Sequence, residues 1–207
     1  MIAGALSLFV VYVVIAFVVR SVVQARRTGD SGWRGVSGRL GSPEWWAGVG
    51  FGAALLAGVL GPLTAILGLD PIEVLAAPAI QVPATVVAVL GVVATFLTQA
   101  AMGTSWRIGV DDSETTDLVM HGPFAIVRNP IFAAMGLSGA GLAFMVPNVV
   151  ALSGLALLVV ALQLQVRVVE EPYLRRAHGD VYADYQAAVG RFVPRLGRQQ
   201  RHTTERV

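Results

Sequence analysis

Five apolar runs, separated by short polar or turn-forming stretches, lay out the chain. Ile2 to Val19 carries 18 residues without a charge. As a helix rising 1.5 Å per residue this is about 27 Å, close to the hydrocarbon thickness of a bilayer. Trp45 to Leu69 opens on a Trp45-Trp46 pair of the kind that anchors at a membrane interface, is long enough to span with tilt, and holds Pro62 as an expected kink. Val82 to Met102 is the third run. Ile131 to Val146 and Val149 to Val166 follow with only Pro147-Asn148 between them, so they read as an antiparallel hairpin. The pattern predicts an all-α integral membrane protein with five transmembrane helices, ending in that hairpin and in polar segments beyond it.

The hairpin brings distant residues together. Its two free ends face one side, so Arg128-Asn129-Pro130 at its start should lie near Arg167, Glu170 and Glu171 at its finish. Gln163, Arg167, Glu170 and Glu171 recur at helical spacing and predict one polar stripe on which Arg167 can pair with either glutamate. Thr95, Thr98, Gln99 and Met102 share a face at the same end, where Gln99 either touches a ligand or bonds a neighbouring helix. Gly50, Ala54 and Gly58 form a small-residue face expected to pack within the chain rather than between copies. Residues 28–42, rich in Gly, Ser and Arg, read as a solvated connecting loop. Tyr173 to Val193 has an amphipathic pattern, interrupted at Gly179, that suits helices lying on a membrane surface. The resulting division is a three-helix region over 1–104, a core over 105–194 and a polar tail over 195–207.

Composition sharpens this reading. Hydrophobic residues make up 55% of the chain and charged ones only 14%, outside the range of soluble domains. Cysteine and lysine are absent, which excludes disulfides, thiolate metal sites and Schiff-base chemistry. His121, His178 and His202 do not fall at ligand spacing, so no metal is expected. All 15 cationic residues are arginines. With five spans they fall on one side, which predicts an external N-terminus, an internal C-terminus and a plasma (inner) membrane location. Arginines follow the first run rather than precede it, against a cleaved signal peptide. No nucleic-acid partner is implied, and the oligomeric state stays open. An acidic loop holding Asp111, Asp112, Glu114 and Asp117 precedes the hairpin and is long for a mere connection.

GPFAIVRNPIF at Gly122–Phe132 and EEPYLRRAHGDVYADYQAAVGRFVP at Glu170–Pro194, in this order around an apolar hairpin, resemble the isoprenylcysteine carboxyl methyltransferase family and the related phospholipid methyltransferases. The resemblance covers Ser105 to Pro194. It implies an S-adenosylmethionine-dependent methyltransferase without a Rossmann fold, acting on a lipidic or prenylated acceptor, a carboxylate first among them, that arrives from the bilayer. Carried over residue by residue, it implies that Thr116, Asp117, Leu118, Val119, Phe124, Asn129, Pro130, Ile131 and Phe132 line the cofactor and that Glu170 holds its ammonium. It further implies that Arg167 faces the acceptor. Arg128 is a second candidate for an anionic group, and Glu171 a candidate base for an amine or hydroxyl acceptor.

Three departures from the family pattern stand out. Asn129 replaces its His, and Phe124 and Phe132 replace its Tyr residues. Asparagine keeps hydrogen-bonding capacity but cannot accept a proton, which suits methyl transfer to a carboxylate, where alignment matters more than a strong base. Two other readings compete: an NADPH-dependent reductase of sterol-like lipids with a similar membrane architecture, and a non-catalytic membrane scaffold with a decayed site.

Overall fold

The computed structural model describes residues 1–110 and 116–199; Asp111, Asp112 and Glu114 of the acidic loop, and His202 of the tail, lie outside them. Helix α1 spans Ile2–Thr28 and contains a π turn at Val14–Val19. Helices α2 (Pro43–Ile66), α3 (Pro78–Ala101), α4 (Pro130–Met145) and α5 (Val149–Leu164) follow. A second π turn at Gln165–Glu170 carries α5 into α6 (Glu171–Ala188), whose path breaks at Gly179. Four of these helical stretches are long and apolar enough to cross a membrane, counting α5 with its continuation, and α4, of 16 residues, is a shorter apolar helix between two of them.

Local chemistry sets the boundaries. Ser42 caps α2 by accepting from the Trp45 N–H, with Pro43 in the first turn. α3 begins at Pro78, not at Val82. The proline-rich stretch that reads as turn is in part a helix start, since proline in the first turn forfeits no hydrogen bond and brings a helical φ. α1 likewise continues past Val19 to Thr28 and stops where Gly29 adopts a φ of 77°. At the hairpin turn Asn148 is wholly buried; its Oδ1 accepts from the Ala151 N–H at 2.9 Å and its Nδ2 donates to the Gly61 carbonyl at 2.8 Å.

The packing is that of a membrane bundle. Its interior holds small residues, among them Ala5, Ala16, Ala54, Ala88, Ser138, Ala151 and Ala161, while Val10, Val18, Leu56, Leu60, Leu90, Phe96 and Val160 point outward. Lipid chains solvate large apolar groups as well as a protein interior does, so helices associate through close approach of small ones. α3 and α4 approach closest. A Cβ on Gly141 would lie 2.3 Å from the Ala88 backbone nitrogen, and one on Gly91 2.5 Å from that of Ser138. The expected small-residue face on α2 packs inside the chain, Gly58 against Phe9 and Gly50 against Ala161. Gln99 makes the interhelical bond, its Nε2 donating to the Ala16 carbonyl in the π turn of α1 at 3.0 Å.

The two ends of the bundle differ. At one, the α2–α3 connection meets the hairpin turn, where the Ile72 N–H donates to the Pro147 carbonyl at 2.8 Å. At the other, Arg20 and Gln24 donate to the Gly103 and Thr104 carbonyls beyond α3. The loop over 28–42 is more than a solvated connection: the Arg34 N–H donates to the Ile108 carbonyl at 2.9 Å and the Ile108 N–H to that of Gly32 at 2.7 Å. Both ends of the α4–α5 hairpin open on this arginine-rich end.

Candidate active site

The two motif blocks join through their backbones. Arg128 donates its N–H to the Gly190 carbonyl at 2.8 Å and Asn129 its own to the Arg191 carbonyl at 3.0 Å, a short parallel pairing in which Val127 bridges to Gly190. The loop after it closes tightly, with the Arg191 N–H bonded to the Leu196 carbonyl at 2.8 Å. A Cβ at Gly190 would sit 2.2 Å from the Val193 carbonyl oxygen, so this position admits only glycine.

Side chains lock the junction. Arg128, 5% exposed, donates to the Gln186, Val189 and Gly197 carbonyls and, through Nη2, to Glu171 Oε1 at 3.0 Å. Arg191 grips the same carboxylate with both arms of its fork, Nε to Oε1 at 2.7 Å and Nη2 to Oε2 at 2.9 Å. Burial by itself pushes the Glu171 carboxyl up, but the hydrogen bonds from Arg191 and Arg128 outweigh it and hold the group below its ordinary value. The same bond to Glu171 raises the Arg191 guanidinium. Glu171 is therefore the anion of a clasp between two arginines. This corrects the expectation of a free base at that position, because a carboxylate saturated by cationic donors takes up a proton poorly. Arg128 is likewise consumed by the clasp and presents no open face to an acceptor.

The polar stripe expected on one helical face is divided. Arg167 is exposed, with its Nε bonded to Gln163 Oε1 at 3.0 Å, and pairs with neither glutamate, whereas Glu171 is 3% exposed. The cause is the π turn at Gln165–Glu170. An i→i+5 turn holds more residues than an α turn, so groups spaced for one face part company across it. Glu170 is half-buried by exposed area, yet desolvation pushes its carboxyl up to about 7 against a hydrogen bond from Gln165 that lowers it, and the neighbouring Glu171 charge raises it further.

Phe124 is buried in a short turn over Gly122–Ala125, and its carbonyl accepts from the Tyr185 hydroxyl at 2.5 Å. The Asn129 side chain also donates to the Arg191 carbonyl, at 3.1 Å, leaving its Oδ1 without a hydrogen-bond partner among the described residues. Pro130 opens α4 and is buried, while Ile131 and Phe132 are half-buried against a cluster containing Tyr12, Ala16 and Leu162. Thr116, Leu118 and Val119 are half-buried in irregular backbone with Asp117 exposed among them. The site residues not anticipated as such are Arg191, Gln186 and Tyr185. The Arg191-x-x-Pro194 spacing and the buried-face register of Tyr182, Tyr185 and Gln186 were the available signals.

With this geometry in place, comparison with known proteins gives one match: residues 80–181 fit the family model described as phospholipid methyltransferase. That stretch runs from α3 through the hairpin and into α6. No curated protein and no solved structure matches.

Proposed function

We propose that this chain, whose residues 80–181 fit the phospholipid methyltransferase family model, moves a methyl group from S-adenosylmethionine to a lipidic acceptor at the arginine-rich end of the bundle. The observation that carries the reading is the Arg128–Glu171–Arg191 clasp, which holds the two motif blocks against one another although 43 residues separate Arg128 from Glu171.

The residues present suit such a cofactor. Of the two adjacent carboxylates, Glu171 is neutralised by arginines and Glu170 is not, so Glu170 is the one left to receive an ammonium. S-adenosylmethionine supplies an electrophilic methyl on a sulfonium. Asn129, fixed to Arg191 by two N–H donors, offers its Oδ1 as an acceptor. Thr116, Asp117, Leu118 and Val119, with Phe124, Pro130, Ile131 and Phe132, would complete the lining. Arg167, exposed at the end of the lipid-crossing stretch, would hold an anionic acceptor group. In this reading Arg128 and Glu171 hold the site's shape and do not touch the acceptor.

A carboxylate is the acceptor that fits best, because the clasp removes Glu171 as a base and a carboxylate needs none. A second reading, an amine acceptor, draws on one observation: a Glu170 carboxyl raised to about 7 is matched to proton transfer near neutrality. Incubating the full chain in lipid vesicles with S-adenosylmethionine bearing a labelled methyl group tests both. Label that enters the lipid fraction and is released as methanol by alkali marks an ester, while alkali-stable label marks an amine. No incorporation contradicts the proposal.

The proposed setting is the plasma (inner) membrane with the site on the cytoplasmic side, supported by the gathering of arginines at the site end. Reporter fusions at Ser31 should read cytoplasmic and those at Pro71 and Asn148 external, and the reverse pattern sinks that orientation.

A further inference from the structure

Arg20 lies outside the matched stretch and does something unusual for an arginine at the end of a membrane-crossing run. The apolar part of α1 ends at Val19, and an arginine at the end of such a run ordinarily extends its head into the polar layer. Arg20 instead turns inward and is 6% exposed. The π turn over Val14–Val19 ends immediately before it. Its guanidinium lies 4.8 Å from the centre of the buried Trp106 ring, and its Nη2 donates to the Gly103 carbonyl.

These contacts leave its charge unmatched. Among the described residues no carboxylate pairs with Arg20, and the charged side chain whose field reaches it is Arg27, of the same sign. Its Nε is buried without a hydrogen-bond partner. Beside it, Gln24 is 4% exposed and donates its amide to the Thr104 carbonyl, leaving Oε1 buried and unpartnered, and Gln99 Oε1 is in the same condition. A buried cation without an anion is among the least favourable arrangements a fold can hold, and donors and acceptors left unpaired add to it.

We propose that Arg20, with Gln24 beside it and Trp106 as its floor, is a phosphate-binding site that takes the anionic headgroup of a phospholipid entering between the end of α1 and the Gly103–Thr104 turn. The phosphate accepts from the free Nε, and a headgroup hydroxyl can donate to Gln24 Oε1. Ser21, half-buried, and Thr104, exposed, flank the approach. This goes beyond the methyl-transfer reading and does not rest on it, since no cofactor or acceptor enters the argument.

Native mass spectrometry of the full chain, released from a neutral detergent with phosphatidylglycerol or phosphatidylcholine added, tests it. The wild type should retain one phosphatidylglycerol at least tenfold more tightly than phosphatidylcholine. Arg20→Gln should lose that preference, and Arg20→Lys, which keeps the charge but has no Nε, should weaken it severalfold. Arg26→Gln, an exposed neighbour on the same helix, should leave it unchanged. Competition by soluble glycerol 1-phosphate would identify the phosphate group as sufficient, and its failure would assign the site to membrane lipid. A preference for phosphatidylglycerol that is absent in the wild type, or that survives in whichever Arg20 variant folds, overturns the proposal. So does an equal loss in Arg26→Gln, which marks diffuse attraction to a basic surface.

Discussion

Arg128 precedes a helical hairpin and Glu171 follows it, and at its open end they meet 3.0 Å apart, with their side chains 1% and 5% exposed. Removing one partner of a buried pair leaves the other as an uncompensated charge, which costs about 3–5 kcal/mol. Arg128→Ala and Glu171→Gln should each lower the thermal unfolding temperature of the detergent-solubilised protein by many degrees. Arg167→Gln, at an exposed position, should change stability by less than about 0.5 kcal/mol. Equal effects at Arg128 and Arg167 would mean that the clasp does not hold the hairpin ends.

The closest helix contact gives a second prediction. Gly141 has no room for a methyl group beside the Ala88 backbone. Gly141→Ala should force α3 and α4 apart and destabilise by about 1–3 kcal/mol, the usual range for overpacking. Gly52→Ala, at a position where an added methyl group meets no neighbour, should be neutral or slightly stabilising. Unfolding of the two variants side by side in one detergent reads the difference.

Glu170 and Glu171 predict opposite pH responses. Glu171, whose carboxyl is held low in the fold, contributes stability that is present above its ordinary value of 4.5 and is lost as pH falls through the lower folded value. Glu170, raised in the fold to about 7 from 4.5, contributes stability that is full below 4.5 and is lost as pH rises through 7. Wild-type stability should therefore decline between about pH 5 and pH 8, and Glu170→Gln should flatten that decline without altering the acid limb. An unchanged decline in Glu170→Gln would assign it to another group.

Asn129 separates a working site from a decayed one. Its side chain donates to the Arg191 carbonyl, so Asn129→Ala should cost about 1 kcal/mol of stability and weaken S-adenosylmethionine binding by about 1–3 kcal/mol. Asn129→His keeps a ring N–H donor for the same carbonyl and should be tolerated. Affinities that are undetectable in all three proteins would favour the scaffold reading.

Much of the fold was legible because the bilayer admits few solutions. Uncharged runs mark the four long apolar stretches and the shorter α4 between two of them, and the two-residue Pro147-Asn148 turn places Arg128 near Glu171 by topology alone. Features set by backbone register were not legible. The π turn at Gln165–Glu170 leaves no mark on the apolar pattern, yet it sends Arg167 outward and Glu171 inward where a regular helix would align them. The clasp escaped for a related reason. Arg191 lies in an irregular loop whose direction is decided by Gly190 and by carbonyl contacts rather than by periodicity. Pro78 reads equally as a turn residue and as a helix start, and only the cap geometry separates the two.

The central claim is that S-adenosylmethionine binds between the clasped blocks with Glu170 facing its ammonium. Calorimetric titration of the full chain in lipid nanodiscs tests it most directly. The account predicts saturable one-to-one binding by the wild type and an affinity about 10- to 100-fold weaker in a folded Glu170→Gln variant, the worth of a charge-assisted hydrogen bond of about 1.5–3 kcal/mol. Absence of binding by the wild type, or equal affinity in the two proteins, would contradict it.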